Sequence, residues 1–115
     1  MDLSLQVVER DGWTVVLVGG DIDLTTAPRL REQLIRLGAE GTHHLVIDLA
    51  GVGFCDSTGL GVLVGTQKRA RTADGEVLLC GLSPSLERVF SLTGLDQAFV
   101  IHPTLDAVPA RGGRG

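Results

Sequence analysis

Two apolar runs without polar alternation, His43–Leu49 (HHLVIDL) and Glu76–Gly81 (EVLLCG), constrain the fold of this chain more than any other feature. Such a run reads as a strand buried on both faces, which is the pattern of a parallel sheet covered by other elements. Each is followed by a segment of helical character. STGLGVLVGTQKRART spans Ser57–Thr72 and carries Lys68, Arg69 and Arg71 where cations suit a helix carboxyl end. SPSLERVFSLTG starts at Ser83, has Pro84 at the first helical position and stops at Gly94.

The amino-terminal part adds a different signal. LSLQVVE alternates polar and apolar residues, Asp11-Gly12 breaks the run, and WTVVLVG is rich in valine, so the two segments read as a hairpin with Trp13 packed on it. Pro28 and the spacing of Leu30, Leu34 and Leu37 predict a helix over Thr26–Ala39, ended by Gly38 and Gly41. A short run, AFVI, supplies a last edge strand, and HPTLDAV adds one more helical turn. The order β-β-α-β-α-β-α-β predicts an α/β fold: a mixed, mostly parallel sheet with an amino-terminal β-hairpin and helices packed on it. At 115 residues the chain accommodates one domain, read as residues 1–108. PARGGRG, residues 109–115, reads as a disordered tail.

Bulk properties exclude several functions. A net charge of −4 argues against nucleic acid as the main partner and supplies no basic membrane patch. MDLSLQ lacks the features of a signal peptide, and no apolar stretch approaches the ~20 residues needed to cross a bilayer, so the expected location is the cytoplasm. Cys55 and Cys80 lie in apolar runs with no CxxC spacing, which predicts buried free thiols, no metal and no cofactor.

In parallel sheets, partners meet the loops at the carboxyl ends of the strands. GGDIDLTTAP and AGVGFCDSTG occupy such positions, and if their strands are neighbours, Asp21, Asp23, Thr25 and Thr26 share one rim with Asp56, Ser57 and Thr58. Ser57 reads first as a helix N-cap, a role in which serine excels. Gly59, Gly61 and Gly65 each cost the helix ~1 kcal/mol relative to alanine. Gly61 and Gly65, four apart, suit close packing on the sheet, whereas Gly59 beside Ser57 suits an open approach by another molecule. Ser57 lacks the elbow of a hydrolase, and nothing marks His43, His44 or His102 as its base. A phosphoaspartate receiver fails as well, because the acids follow the second strand and no lysine lies beyond Lys68.

VIDLAGVGFCDSTGLGVL closely resembles the phosphorylation-site segment of the STAS-domain anti-sigma factor antagonists, in which Asp-Ser-[Ser/Thr]-Gly-Leu-Gly follows a buried strand. GDIDLTTAPRLREQL and SPSLERVFSLTGLDQAFVIHPTLDAV resemble other parts of the same family, so the likeness covers about Leu3 to Val108. The resemblance implies a non-enzymatic switch protein with Ser57 as phosphoacceptor and Thr58 as second choice. It implies partner contacts at Asp21, Asp23, Thr25, Asp56, Ser57, Thr58, Gly59 and Gly61. The implied partners are an anti-sigma factor with a histidine-kinase-like ATPase domain, which is the serine kinase, and a serine phosphatase. Leu24-Thr25 stands where some members carry His residues, a departure that bears on partner choice. The alternative is a STAS scaffold or nucleotide-sensing subunit in which Ser57 is only a cap.

Overall fold

A computed structural model describes residues 2–112. The hairpin pairs β1 (Ser4–Arg10) with β2 (Trp13–Ile22) in antiparallel register through a two-residue turn. Asp11 and Gly12 have φ of 51° and 86°, the double left-handed turn that Asp-Gly favours and that matches the twist of the strands. From there the chain alternates: α1 (Ala27–Ala39), β3 (His44–Cys55), α2 (Ser57–Thr72), β4 (Glu76–Cys80), α3 (Pro84–Thr93), a short α4 (Leu95–Ala98) and β5 (Val100–His102). Strands β2 to β5 are parallel and lie in chain order, giving a five-stranded sheet β1-β2-β3-β4-β5. A single 3-10 turn, Leu105–Ala107, follows.

The sheet buries its two faces against different material. Leu45, Ile47 and Leu49 of β3 point into the main core with Leu30, Leu34 and Leu63 from the helices. The alternate residue Val46 faces a smaller cluster formed with Trp13, Leu78 and Val108. Helix α3 has the ends its sequence encodes: Ser83 Oγ accepts from the Leu86 N–H at 3.2 Å, and Gly94 closes the helix at φ 78°.

Two strands run further than expected. GGDI and AGVGFC are not loops but the ends of β2 and β3, paired Asp21 with Phe54 and Ile22 with Cys55. Their glycines allow close approach at two register shifts: a Cβ on Gly51 would stand 3.0 Å from the Val18 carbonyl oxygen and 3.1 Å from Gly19 Cα. The start of the expected tail is tied down as well. The Trp13 indole N–H donates to the Pro109 carbonyl at 2.9 Å, and the Arg111 N–H donates to the Asp11 carbonyl at 2.8 Å. Residues 113–115 of that tail lie outside the described residues.

Both cysteines are buried and unpaired. Burial, then the charge of Asp56, pushes the Cys55 thiol up to about 12, and burial, then Asp48, does the same for Cys80. The thiolate is the nucleophile, so neither should react in the folded chain. Iodoacetamide at pH 8 is expected to leave both unmodified in buffer and to alkylate both in denaturing urea. Mass spectrometry reads the difference, and rapid native labelling of Cys55 would contradict the packing described for it.

Candidate functional site

The ends of β2 and β3 bring the two loop clusters onto one rim. The Asp56 N–H donates to the Ile22 carbonyl at 3.0 Å, stitching the last residue before α2 to the end of β2. That bond holds Asp56 extended (φ −89°, ψ −175°), and its Oδ1 accepts from the Gly59 N–H at 3.1 Å. Asp56 is therefore the N-cap of α2, and the expectation that Ser57 fills that role is corrected. Aspartate and serine cap about equally well, so the strand pairing decides which of the two neighbours does so. Ser57 becomes the first residue of a 16-residue helix, exposed, with its hydroxyl free of hydrogen bonds to the described residues. Thr58 beside it is also exposed.

The glycines exchange the roles expected of them. Gly59 is buried, and a Cβ there would lie 2.6 Å from both Cys55 Sγ and Ile22 Cγ2. It is the residue that lets α2 begin hard against the sheet, not an opening for a partner. Gly61 is exposed with nothing within 4 Å of its would-be Cβ, and at Gly65 only Arg69 Nη1 comes near, at 3.4 Å. The phase of the helix explains the exchange, because Gly59 shares the inner stripe with Leu63, Thr66 and Ala70 while Gly61 and Gly65 face outward.

Across the rim, Asp23 organises the turn into α1. Its Oδ1 accepts from the Thr26 N–H at 3.0 Å and the Thr25 N–H at 2.9 Å. Those donors, Thr26 foremost, hold the Asp23 carboxyl below the usual carboxylate range. Thr26 Oγ1 donates to the Asp21 carbonyl at 2.7 Å and accepts from the Asp23 N–H at 2.9 Å, so Thr26 is a buried strut and not a contact residue. Asp21 and Asp23 are half-buried, and Thr25 is exposed. The rim also carries two exposed apolar side chains, Leu24 at 73% exposure, which the sequence marked only as a departure from the family, and Phe54 at 53%, which sequence reasoning missed. A signal was present: Leu24 stands between Asp23 and Thr25, and Phe54 follows Gly53 in a glycine-rich stretch where no core pattern demands a large side chain.

The histidines do not join Ser57. His44 starts β3 at the far end of a 12-residue strand, its ring edge-on to Trp13 at 6.4 Å. His102 is level with Cys80, which is level with Asp48, well short of Cys55. Among the described residues no three His, Cys, Asp or Glu side chains gather to hold a metal, and no helix is long and apolar enough to cross a membrane. The rim offers an exposed hydroxyl at a helix amino terminus, flanked by carboxylates and two apolar side chains.

Comparison with known proteins agrees with this geometry. The STAS domain family model matches residues 4–108. The anti-sigma-B factor antagonist of Staphylococcus epidermidis is 40% identical over 95 residues, covering 83% of this chain and 88% of the relative. The crystal structure of an anti-sigma factor antagonist from Mycobacterium paratuberculosis superposes with a TM-score of 0.83 at 37% identity, covering 91% of this chain and 89% of the other. The Bacillus cell fate determinant SpoIIAA in its phosphorylated form shares the fold, with a TM-score of 0.70 at 21% identity over 92% of this chain and 96% of the other. An α/β sheet that ends its second and third strands at one rim, and there presents Asp56-Ser57-Thr58, thus places this chain in the STAS-domain family, among the anti-sigma factor antagonists.

Proposed function

We propose that this chain is a partner-switching module whose unphosphorylated form binds an anti-sigma factor and so releases a sigma factor. Phosphorylation of Ser57 by that anti-sigma factor, through a histidine-kinase-like ATPase domain, ends the binding, and a serine phosphatase restores it. All of this takes place in the cytoplasm. The chain itself catalyses nothing; the kinase and the phosphatase are the enzymes.

One observation carries the reading: the Ser57 hydroxyl is exposed and unengaged while the neighbouring Asp56 performs the capping. A phosphate on Ser57 leaves that cap in place and lies at a helix amino terminus, where the backbone N–H groups and the helix dipole favour an anion. The fold therefore tolerates the modification, and its effect falls on whatever docks at the rim. That a fold neighbour was solved in a phosphorylated form is consistent with this. Asp21, Asp23, Thr25, Asp56, Thr58 and Gly61 are the proposed contacts, with Leu24 and Phe54 as apolar anchors beside them.

Capture from an ATP-depleted lysate, with wild type, Ser57→Ala and Ser57→Asp as baits of equal circular dichroism, tests the proposal. Wild type and Ser57→Ala are expected to retain an ATPase-domain protein that Ser57→Asp does not. Identical retention by all three would show binding by another surface and favour the scaffold reading.

A further inference from the structure

Beyond the rim, a continuous groove follows the seam between α1 and α2. Three adjoining hollows of about 340, 270 and 310 Å³ compose it. Arg31, Thr58 and Val62 line both the first and the second, Arg69 the second and the third, and Ile35 the first and the third. The groove therefore runs from Thr58, next to Ser57, to His43 at the opposite end of the sheet.

Its chemistry is mixed in a particular way. Val62, Leu34 and Ala70 contribute apolar floor, and Ile35 stands 37% exposed on the wall. Gly61 and Gly65 keep the α2 side low, although glycine is disfavoured in a helix and nothing crowds a side chain at position 61. The charges are mainly cationic in a chain of net charge −4. Arg31 and Arg69 form no ion pair among the described residues, and Arg69 donates only to Thr66 Oγ1, at 3.2 Å. The one carboxylate on the lining, Glu32, lies 3.9 Å from Arg36 on its own helix.

From this charge pattern we infer that the α1–α2 groove is a docking surface for an acidic amphipathic helix of a protein partner. A small anion would leave the apolar floor unused, whereas a helix with apolar residues on one stripe and carboxylates beside it satisfies floor and arginines together. The α2 residues on its lining, from Thr58 to Ala70, give the groove a length of about 18 Å, some three turns of an occupant. Assigning that helix to the partner gated by Ser57 rests on the switch reading above. On that reading a phosphate on Ser57 adds negative charge at the mouth of the groove, beside Thr58, where it repels an acidic occupant and competes for Arg31.

The test titrates the full-length 15N-labelled chain with a 16-residue synthetic helix of Leu and Glu, Leu on one stripe, and with a twin carrying Lys in place of Glu. The Glu peptide is expected to shift amides along α1 and α2, and the Lys twin to shift none. Arg31→Glu/Arg69→Glu should weaken the Glu peptide at least tenfold, as should Gly61→Leu, which fills the trough without reversing charge. Arg88→Glu, an exposed change on α3, should not weaken it. Equal binding by the groove variants, shifts confined to another face, or no shift at millimolar peptide would overturn the assignment. Preferential binding to phosphatidylglycerol vesicles, with the peptide ignored, would overturn it too. Ser57→Asp should weaken the Glu peptide severalfold, and unchanged affinity would overturn the link to Ser57. If the peptide docks as expected but the capture experiment fails, the switch reading falls and the groove assignment stands.

Discussion

Gly59→Val is expected to destabilise the domain by about 3 kcal/mol, the upper part of the usual range for overpacking a filled core. The first methyl-sized atom already meets Cys55 Sγ and Ile22 Cγ2 at 2.6 Å. Ile22 is fully buried and is tied by its carbonyl to the Asp56 N–H, so it yields only by disturbing the strand end that positions the helix. A β-branched side chain also loses rotamer freedom at the start of a helix. Gly61→Ala should do the reverse. With nothing within 4 Å of the added carbon, relief of the glycine penalty is worth up to ~1 kcal/mol. Two similar changes, two residues apart, thus have opposite signs. Urea unfolding of both variants checks this, and equal loss at both positions would mean that α2 is rotated from the phase described.

The fold order was legible because the period of the hydrophobic pattern changes along the chain. HLVIDL and EVLLC have no polar face, the segment holding Leu30, Leu34 and Leu37 has one, and the parallel order follows from their alternation. The ends of β2 and β3 were not legible. Gly19, Gly20, Gly51 and Gly53 look like loop punctuation in the sequence, whereas their structural cause is the close passage of two strands at register shifts, a tertiary fact. The same limit explains the exchanged glycines. The first half of α2 is apolar around much of its circumference, so periodicity does not fix which side faces the sheet. The rim itself was read correctly as a place, since Asp21 and Asp56 stand at the ends of neighbouring strands. Its capping residue was misread by one position, because Asp and Ser compete on equal terms until the bond from Asp56 to Ile22 is known.

Phosphorylation of Ser57 should lower affinity for the anti-sigma factor by about 10²- to 10⁴-fold while leaving the melting temperature of the free chain unchanged or slightly raised. The upper figure corresponds to the ~5.5 kcal/mol that takes occupancy from 99:1 to 1:99. The phosphate brings ~1.5 to 2 negative charges at pH 7. On the free chain these sit in water at a helix amino terminus, a mildly stabilising position worth up to ~1 kcal/mol. At the docked interface they join Asp21, Asp23 and Asp56 and must be stripped of water, a cost of several kcal/mol that the exposed Arg31 near Thr58 offsets only in part. Two substitutions separate that effect from helix capping. Asp56→Ala removes the acceptor for the Gly59 N–H and should cost ~1 kcal/mol, a fall of roughly 4 °C in a domain of this size. Ser57→Ala removes an exposed hydroxyl with no hydrogen bond to the described residues and should stay within about 0.5 kcal/mol of wild type. Calorimetric titration of phosphorylated and unmodified chain against the captured partner, alongside thermal melts of both forms and of the two variants, reads all four quantities. A Ser57→Ala loss as large as that of Asp56→Ala would return the capping role to Ser57. Undiminished binding by the phosphorylated chain would remove the switch.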